Sequence, residues 1–219
     1  MVKVPNNKRQ SGGIMLYIFD LGNVIIDIDF KRVLAVWSNL SGTPLATLTA
    51  KFSLGETVKK HECGQISDTE FAEKLCDEME IALSFEQFAE GWNAIFMGIR
   101  QDVIELMNQL RAQGHRVVVL SNTNRLHLDY WSVHYPEIAA ATDFLYLSQD
   151  VGMRKPNPDI FNTVLAAEGV TADQAIFFDD LLENVEAAKN LNINAIHVAD
   201  RRVIPDYFQS HNFSLPAKN

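Results

Sequence analysis

Residues 15–24 read MLYIFDLGNV, and this stretch decides the fold. Five uncharged residues stop abruptly at Asp20, with Gly22 just beyond. A run this short and continuously apolar reads as a strand buried on both faces, because a half-exposed strand would alternate apolar with polar. In open α/β sheets ligands bind outside the carboxyl ends of the strands, so an aspartate there is placed for chemistry. Asp also serves widely as a turn or cap residue, so the string alone has a purely structural reading too.

Similar runs recur at 116–120, 143–147, 175–178 and 194–198, each ending in polar or turn residues. Helical patterns separate the later ones: 102–113 closed by Gly114, 158–168 closed by Gly169, and 183–191. This alternation predicts an α/β fold, a Rossmann-like parallel sheet with helices on both faces. Residues 30–100 break the rhythm with several helical patterns and no strand, which predicts an inserted helical domain. Ser67 to Glu70 and Ser84 to Gln87 have the capping-box spacing that starts helices. Phe71, Leu75 and Met79, then Phe85, Phe88, Trp92 and Phe96, recur at helical intervals and read as packing within a small bundle. The core domain is expected from 15–29 together with 101–219. Residues 1–14 are polar and glycine-rich at their end, so they are expected to be a disordered extension or a cloning remnant ahead of a natural start at Met15.

With 219 residues, 47% of them hydrophobic, the chain can bury one substantial core and a small second one. None of its apolar runs spans a bilayer, and the N-terminal stretch lacks the apolar centre of a signal peptide, which predicts a cytoplasmic protein. A formal net charge of -9 argues against nucleic acid as a partner, so any phosphate-bearing ligand must meet a local positive site. Cys63 and Cys76 read as free thiols, and the histidines at 61, 115, 127, 134, 197 and 211 lack zinc-ligand spacing.

Three further strings carry chemistry. VVVLSNTN ends a strand in Ser121 and Asn122, whose hydroxyl, amide and backbone N–H groups can cradle phosphate oxygens or merely cap a helix. GMRKPNPDIF puts Arg154 and Lys155 in a proline-bounded loop, where a lysine can neutralise a transferring phosphoryl group. IFFDDLLEN ends a strand in adjacent carboxylates, Asp179 and Asp180, with Asn184 a helical turn on. Two like charges side by side call for a cation, and Mg2+ suits all-oxygen ligands.

The four strings occur in order at the ends of alternating strands. Together they resemble the haloacid dehalogenase (HAD) superfamily across about 15–198, in the branch with a helical C1 cap. FDLGNV, LSNTNR, GMRKP and FFDD are especially similar to bacterial α-D-glucose-1-phosphate phosphatases. The resemblance implies that Asp20 is the nucleophile and a magnesium ligand, with the Gly22 carbonyl and Asp180 as further ligands and Asp179 more remote. It implies that Ser121 and Asn122 hold the phosphoryl oxygens and that Lys155 bridges them to the nucleophile. The implied activity is magnesium-dependent hydrolysis of a small phosphorylated metabolite, a hexose 1-phosphate, with residues 30–100 as the cap. His61, Glu62 and Asn93, polar residues of that segment, read first as solvated helix positions and second as candidate sugar contacts.

One departure matters. Most HAD phosphatases carry a second Asp two residues after the nucleophile, as general acid and base, where this chain has Gly22. Asp27 and Asp29 could substitute from a flap, although alternating acids also mark the exposed face of a short strand. Two alternatives stay open: a metal-free 2-haloacid dehalogenase and a catalytically weak sugar-phosphate-binding protein.

Overall fold

The computed structural model describes residues 13–211. The expectation for 1–14 therefore falls almost wholly outside the described residues. The chain begins with β1 (Leu16–Phe19) and a short β2 (Ile26–Ile28). Helices α1 (Phe30–Ser41), α2 (Leu45–Lys51), α3 (Glu56–Glu62), α4 (Asp68–Met79) and α5 (Phe85–Asn93) follow. Next come β3 (Phe96–Ile99), α6 (Gln101–Ala112), β4 (Arg116–Ser121), α7 (Arg125–His134), α8 (Glu137–Ala140) and β5 (Phe144–Leu147). The chain continues through α9 (Ser148–Val151), α10 (Pro158–Glu168), β6 (Ala175–Asp179), α11 (Leu182–Asn190), β7 (Asn194–His197) and α12 (Val203–Ser210).

Five strands form one parallel sheet in the order β5-β4-β1-β6-β7, so the strand carrying the opening motif is central. Successive side chains point to opposite faces, and both faces are covered. Tyr17, Phe19, Val117, Val119, Ile176 and Phe178 join one apolar cluster, while Leu16, Ile18, Val118, Leu120 and Phe177 join the other. This is why the strands read as unbroken apolar runs.

Local chemistry sets the helix ends. Asn157 accepts from the Asp159 N–H at 3.0 Å, Pro158 occupies the first turn, and Gly169 at φ 68° ends α10. Ser84 and Gln87 complete a capping box, whereas Ser67 makes its own half, accepting from the Glu70 N–H.

The region between β2 and β3 is helical, but residues 30–100 do contain a strand. β3 pairs antiparallel with β2, and the two form the ribbon through which the chain leaves and re-enters the core. Phe96 belongs to that ribbon rather than to a helix, and Phe85 is exposed. Trp37, Phe71, Phe88 and Trp92 are fully buried against one another in the cluster that also covers one sheet face. Among the described residues, no helix is long and apolar enough to cross a membrane.

Candidate active site

Because β1, β4 and β6 are parallel neighbours, their carboxyl ends open on one edge and bring Asp20, Ser121 and Asp179 together. The Asp20 N–H donates to the Phe178 carbonyl at 2.8 Å, so the ladder fixes the backbone from which its carboxylate leaves. Lys155 reaches in from the segment before α10. Its ammonium donates to Asp20 Oδ1 and Asp179 Oδ2, each at 2.6 Å, and to the Leu120 carbonyl at 2.8 Å. All three ammonium protons are thereby used.

Asn122 places that lysine. Its carboxamide accepts from the Lys155 N–H at 2.8 Å and donates to the Lys155 carbonyl at 2.9 Å. Asp179, fully buried, also accepts from the Leu181 N–H and from Asn184. Asp180 accepts from Asn23 Nδ2 at 3.0 Å, and the same Asn23 side chain accepts from the Ile28 N–H. Asn23 sits at φ 53°, a left-handed conformation that asparagine tolerates better than most residues.

Electrostatics mark this cluster as unfinished without a cation. Burial, opposed by Lys155 and reinforced by Asp179 and Asp180, pushes the Asp20 carboxyl up to about 7. Burial also raises Asp180, against the Asn23 hydrogen bond. For Lys155, burial acts to lower the ammonium, but Asp179 and Asp20 outweigh it and hold it above its ordinary value. Oxygens of Asp20, Asp179 and Asp180 all lie within 4.8 Å of one another. Three carboxyl groups share one ammonium, and an all-oxygen set of this kind suits a hard divalent cation, whose charge would favour the ionised form of each.

The cluster opens into a cavity of about 520 Å³. Ser121, Asn122, Thr123 and Asn124 line one side, Arg154 and Lys155 another, and Ile28, Phe30, Leu54, Val58, Glu62, Trp92 and Phe96 contribute a largely apolar wall. The family model of the haloacid dehalogenase-like hydrolases matches residues 14–192. This chain belongs to that family.

Among its relatives is D-ribitol-5-phosphate phosphatase of Bacteroides thetaiotaomicron, 29% identical over 80% of this chain and 86% of the relative. A sesquiterpene phosphatase of Aspergillus oryzae is 26% identical over 84% and 89% of the two chains. A HAD family enzyme of Bacteroides thetaiotaomicron, solved with magnesium and inorganic phosphate, superposes with a TM-score of 0.75 at 28% identity, covering 84% of this chain and 94% of that one.

In this haloacid dehalogenase-like hydrolase the expected residues separate into groups. Asp20, Gly22, Ser121, Asn122, Lys155 and Asp180 line the cavity, while Asp179 stands behind Lys155 and off the wall. The Asn122 carboxamide is committed to Lys155, which leaves its main chain for a ligand. Asp27 is turned away into ion pairs with Arg100, at 2.9 Å, and Arg201, whereas Asp29 lines the cavity and caps α1. Of the three suggested cap contacts only Glu62 reaches the cavity; His61 bonds Asp68 at 2.7 Å and stacks on Phe71.

Sequence reasoning missed Asn23, Asn124 and His127. Asn124 is the N-cap of α7, a position its place before RLHLDYW could have signalled. His127 donates from Nε2 to the Trp92 carbonyl and accepts at Nδ1 from Asn124, the tautomer these partners require. Burial drives it down to about 3, so it stays neutral and joins α7 to α5 as an uncharged strut.

Proposed function

We propose that this hydrolase is a magnesium-dependent phosphatase of small phosphate monoesters that works through an aspartyl-phosphate on Asp20. The observation that carries the reading is the Asp20–Lys155–Asp179 array with Asp180 beside it, Asp20, Lys155 and Asp180 lining a cavity. Asp20, Asp180 and the Gly22 carbonyl would hold the magnesium ion, with Asp179 orienting its surroundings through Lys155, Asn184 and the Leu181 N–H. Bound there, the ion supplies charge neutralisation to the phosphoryl oxygens. Asp20 attacks phosphorus in line with the departing alkoxide, while the Ser121 hydroxyl holds an equatorial oxygen and Lys155, its protons spent on Asp20, Asp179 and the Leu120 carbonyl, contributes its positive charge to the phosphoryl group. Water then attacks the same phosphorus and frees Asp20 and inorganic phosphate.

Residues 30–100 would act as a cap over a core made of 15–29 and 101–219, limiting access to small substrates. For the substrate itself we favour a hexose 1-phosphate such as α-D-glucose 1-phosphate. Gly22 offers no side-chain acid, and a Cβ built there would meet Ile28 Cδ1 at 2.9 Å, so a side chain at this position needs Ile28 to shift. Asp27 is spent on Arg100 and Arg201, and Asp29, although it lines the cavity, has its Oδ1 engaged by the Lys31 N–H as the α1 cap. An anomeric oxygen leaves more readily than an ordinary alkoxide and needs less proton donation.

Phosphate release measured over glucose 1-phosphate, glucose 6-phosphate, ribitol 5-phosphate and 4-nitrophenyl phosphate, with magnesium and after chelation, tests both levels. Full activity in the chelated enzyme would remove the metal-dependent reading and return a metal-free dehalogenase to consideration. A preference for glucose 6-phosphate would remove the leaving-group argument alone.

A further inference from the structure

Glu62 and Arg154 form an ion pair whose location and incomplete bonding set it apart. Arg154 precedes Lys155, while Glu62 ends α3, so the pair joins the helical segment to the strand-end machinery. Arg154 Nε donates to Glu62 Oε2 at 2.7 Å. Among the described residues neither Glu62 Oε1 nor the terminal nitrogens of Arg154 has a further hydrogen-bond partner. Both side chains are mostly buried, at 15% and 24% exposure, and both line the cavity that holds Asp20. A carboxylate and a guanidinium that border the cavity and share a single contact leave strong bonding capacity for a ligand.

We propose that Glu62, held in place by Arg154, is the residue that reads the leaving group, by binding vicinal hydroxyls of a polyol or sugar phosphate. The inference rests on the phosphatase reading. Glu62 Oε1 accepts a hydrogen bond from one hydroxyl, and an Arg154 Nη–H donates to the neighbouring hydroxyl oxygen. Val58 lies one turn before Glu62 on α3 and lines the same cavity, as do Leu54 and Phe30, so an apolar surface accompanies the polar pair. A sugar, with hydroxyl edges and a C–H face, matches both. Asp20 and Ser121 take the phosphoryl end, and Glu62 and Arg154 the hydroxylated end.

The experiment compares kcat/KM for glucose 1-phosphate and ribitol 5-phosphate with that for 4-nitrophenyl phosphate, whose leaving group carries no vicinal hydroxyls. Glu62→Gln keeps shape and removes the charged acceptor. It should lower the better polyol phosphate about 10- to 100-fold relative to 4-nitrophenyl phosphate, the worth of one charge-assisted hydrogen bond. A second variant, Glu62→Gln with Arg154→Gln, retains a neutral hydrogen bond across the seam and should show the same loss of preference. Thermal unfolding of each variant gives the structural contribution separately. Equal losses on all substrates, or an unchanged ratio in both variants, would assign the pair to holding the helices in place and overturn the proposal. So would wild-type enzyme that hydrolyses 4-nitrophenyl phosphate with magnesium but neither polyol phosphate. Wild type inactive on all three with magnesium would instead remove the phosphatase reading and this inference with it.

Discussion

Around Lys155, hydrogen bonds of 2.6 to 2.8 Å tie strand ends that are far apart in sequence, whereas around Trp92 aromatic rings hold helices to the core with few polar bonds. Both regions are buried, yet they fail differently. Removing one charge from the first leaves others uncompensated, while disturbing the second changes shape and area. The charged cluster is therefore concentrated in a few unforgiving residues, whereas the aromatic packing that shapes one cavity wall is spread over many side chains. Each of the following experiments strikes one side of that contrast.

The largest effect should come from Asp20→Asn, which is nearly isosteric but a poor nucleophile. Turnover should fall on the order of 10⁴-fold or more, read as phosphate release, with the far-ultraviolet circular dichroism intact. Substantial residual activity would put the nucleophile elsewhere. The same variant isolates a pH effect. Asp20 keeps its proton up to about 7 in the fold but ionises near 3.8 when unfolded, so the metal-free folded state binds more protons between those values. Its contribution to stability therefore falls as pH rises from about 4 to 7. His127 has the opposite sign, since the unfolded state takes up the extra proton below its ordinary value. It is common to both proteins and cancels in the difference. Without metal, wild type should thus lose stability relative to Asp20→Asn across this window. A pH-independent difference in unfolding midpoint would contradict the burial argument.

Next comes Lys155→Met, which leaves Asp20 and Asp179 facing each other with no ammonium between them. Losing one partner of a buried charge pair costs about 3–5 kcal/mol, and urea unfolding without metal should show a loss of that order. Magnesium should restore part of it, because the cation replaces some of the missing positive charge. A loss below about 1 kcal/mol in metal-free protein would mean that the cluster relaxes or takes up protons instead.

How much of this was legible beforehand follows from the range of each interaction. Asp20, Ser121, Lys155, Asp179 and Asp180 border apolar runs or a proline-bounded loop, so local sequence marks them, and all five sheet strands were visible for the same reason. Asn23 was not, because its partner Asp180 lies 157 positions away. β3 was missed since Phe96 continues the helical repeat of Phe88 and Trp92, and only its pairing with the distant β2 makes it a strand. The short strand IIDID was recognisable by its alternation. Which way Asp27 would turn depended on Arg100 and Arg201, both remote in sequence.

An intermediate effect should follow from returning the missing acid. Gly22→Asp alone must displace Ile28 Cδ1, so Ile28→Ala is made with it to open the space. General acid catalysis is worth roughly 10²–10⁴-fold, and recovering part of it should help glucose 6-phosphate more than glucose 1-phosphate. The ratio of their kcat/KM values should fall about tenfold or more in the double variant. An unchanged ratio would indicate that the proton already comes from another group or is not needed.

The smallest effect tests the aromatic side alone. Gly91 lies within α5, where alanine would ordinarily favour the helix by up to about 1 kcal/mol. A Cβ there runs into the Trp37 indole, which is fully buried, stacked on Phe88 and donating from Nε1 to the Phe88 carbonyl at 3.0 Å. Overpacking of this kind costs typically 1–3 kcal/mol, so the clash outweighs the propensity and Gly91→Ala should be destabilised on balance by about 1–2 kcal/mol. Among the described residues the Trp37 hydrogen bond and ring contacts go to Phe88 and Trp92 rather than to Asp20, Lys155 or Asp180, so the chemical step should change little, while KM for a hydroxylated substrate rises if the shifted helix moves Trp92 at the cavity wall. Urea unfolding together with steady-state kinetics separates the outcomes. A fall in kcat as large as the rise in KM would show that helix packing and strand-end chemistry are coupled through Trp92, Asn124 and His127 rather than separable.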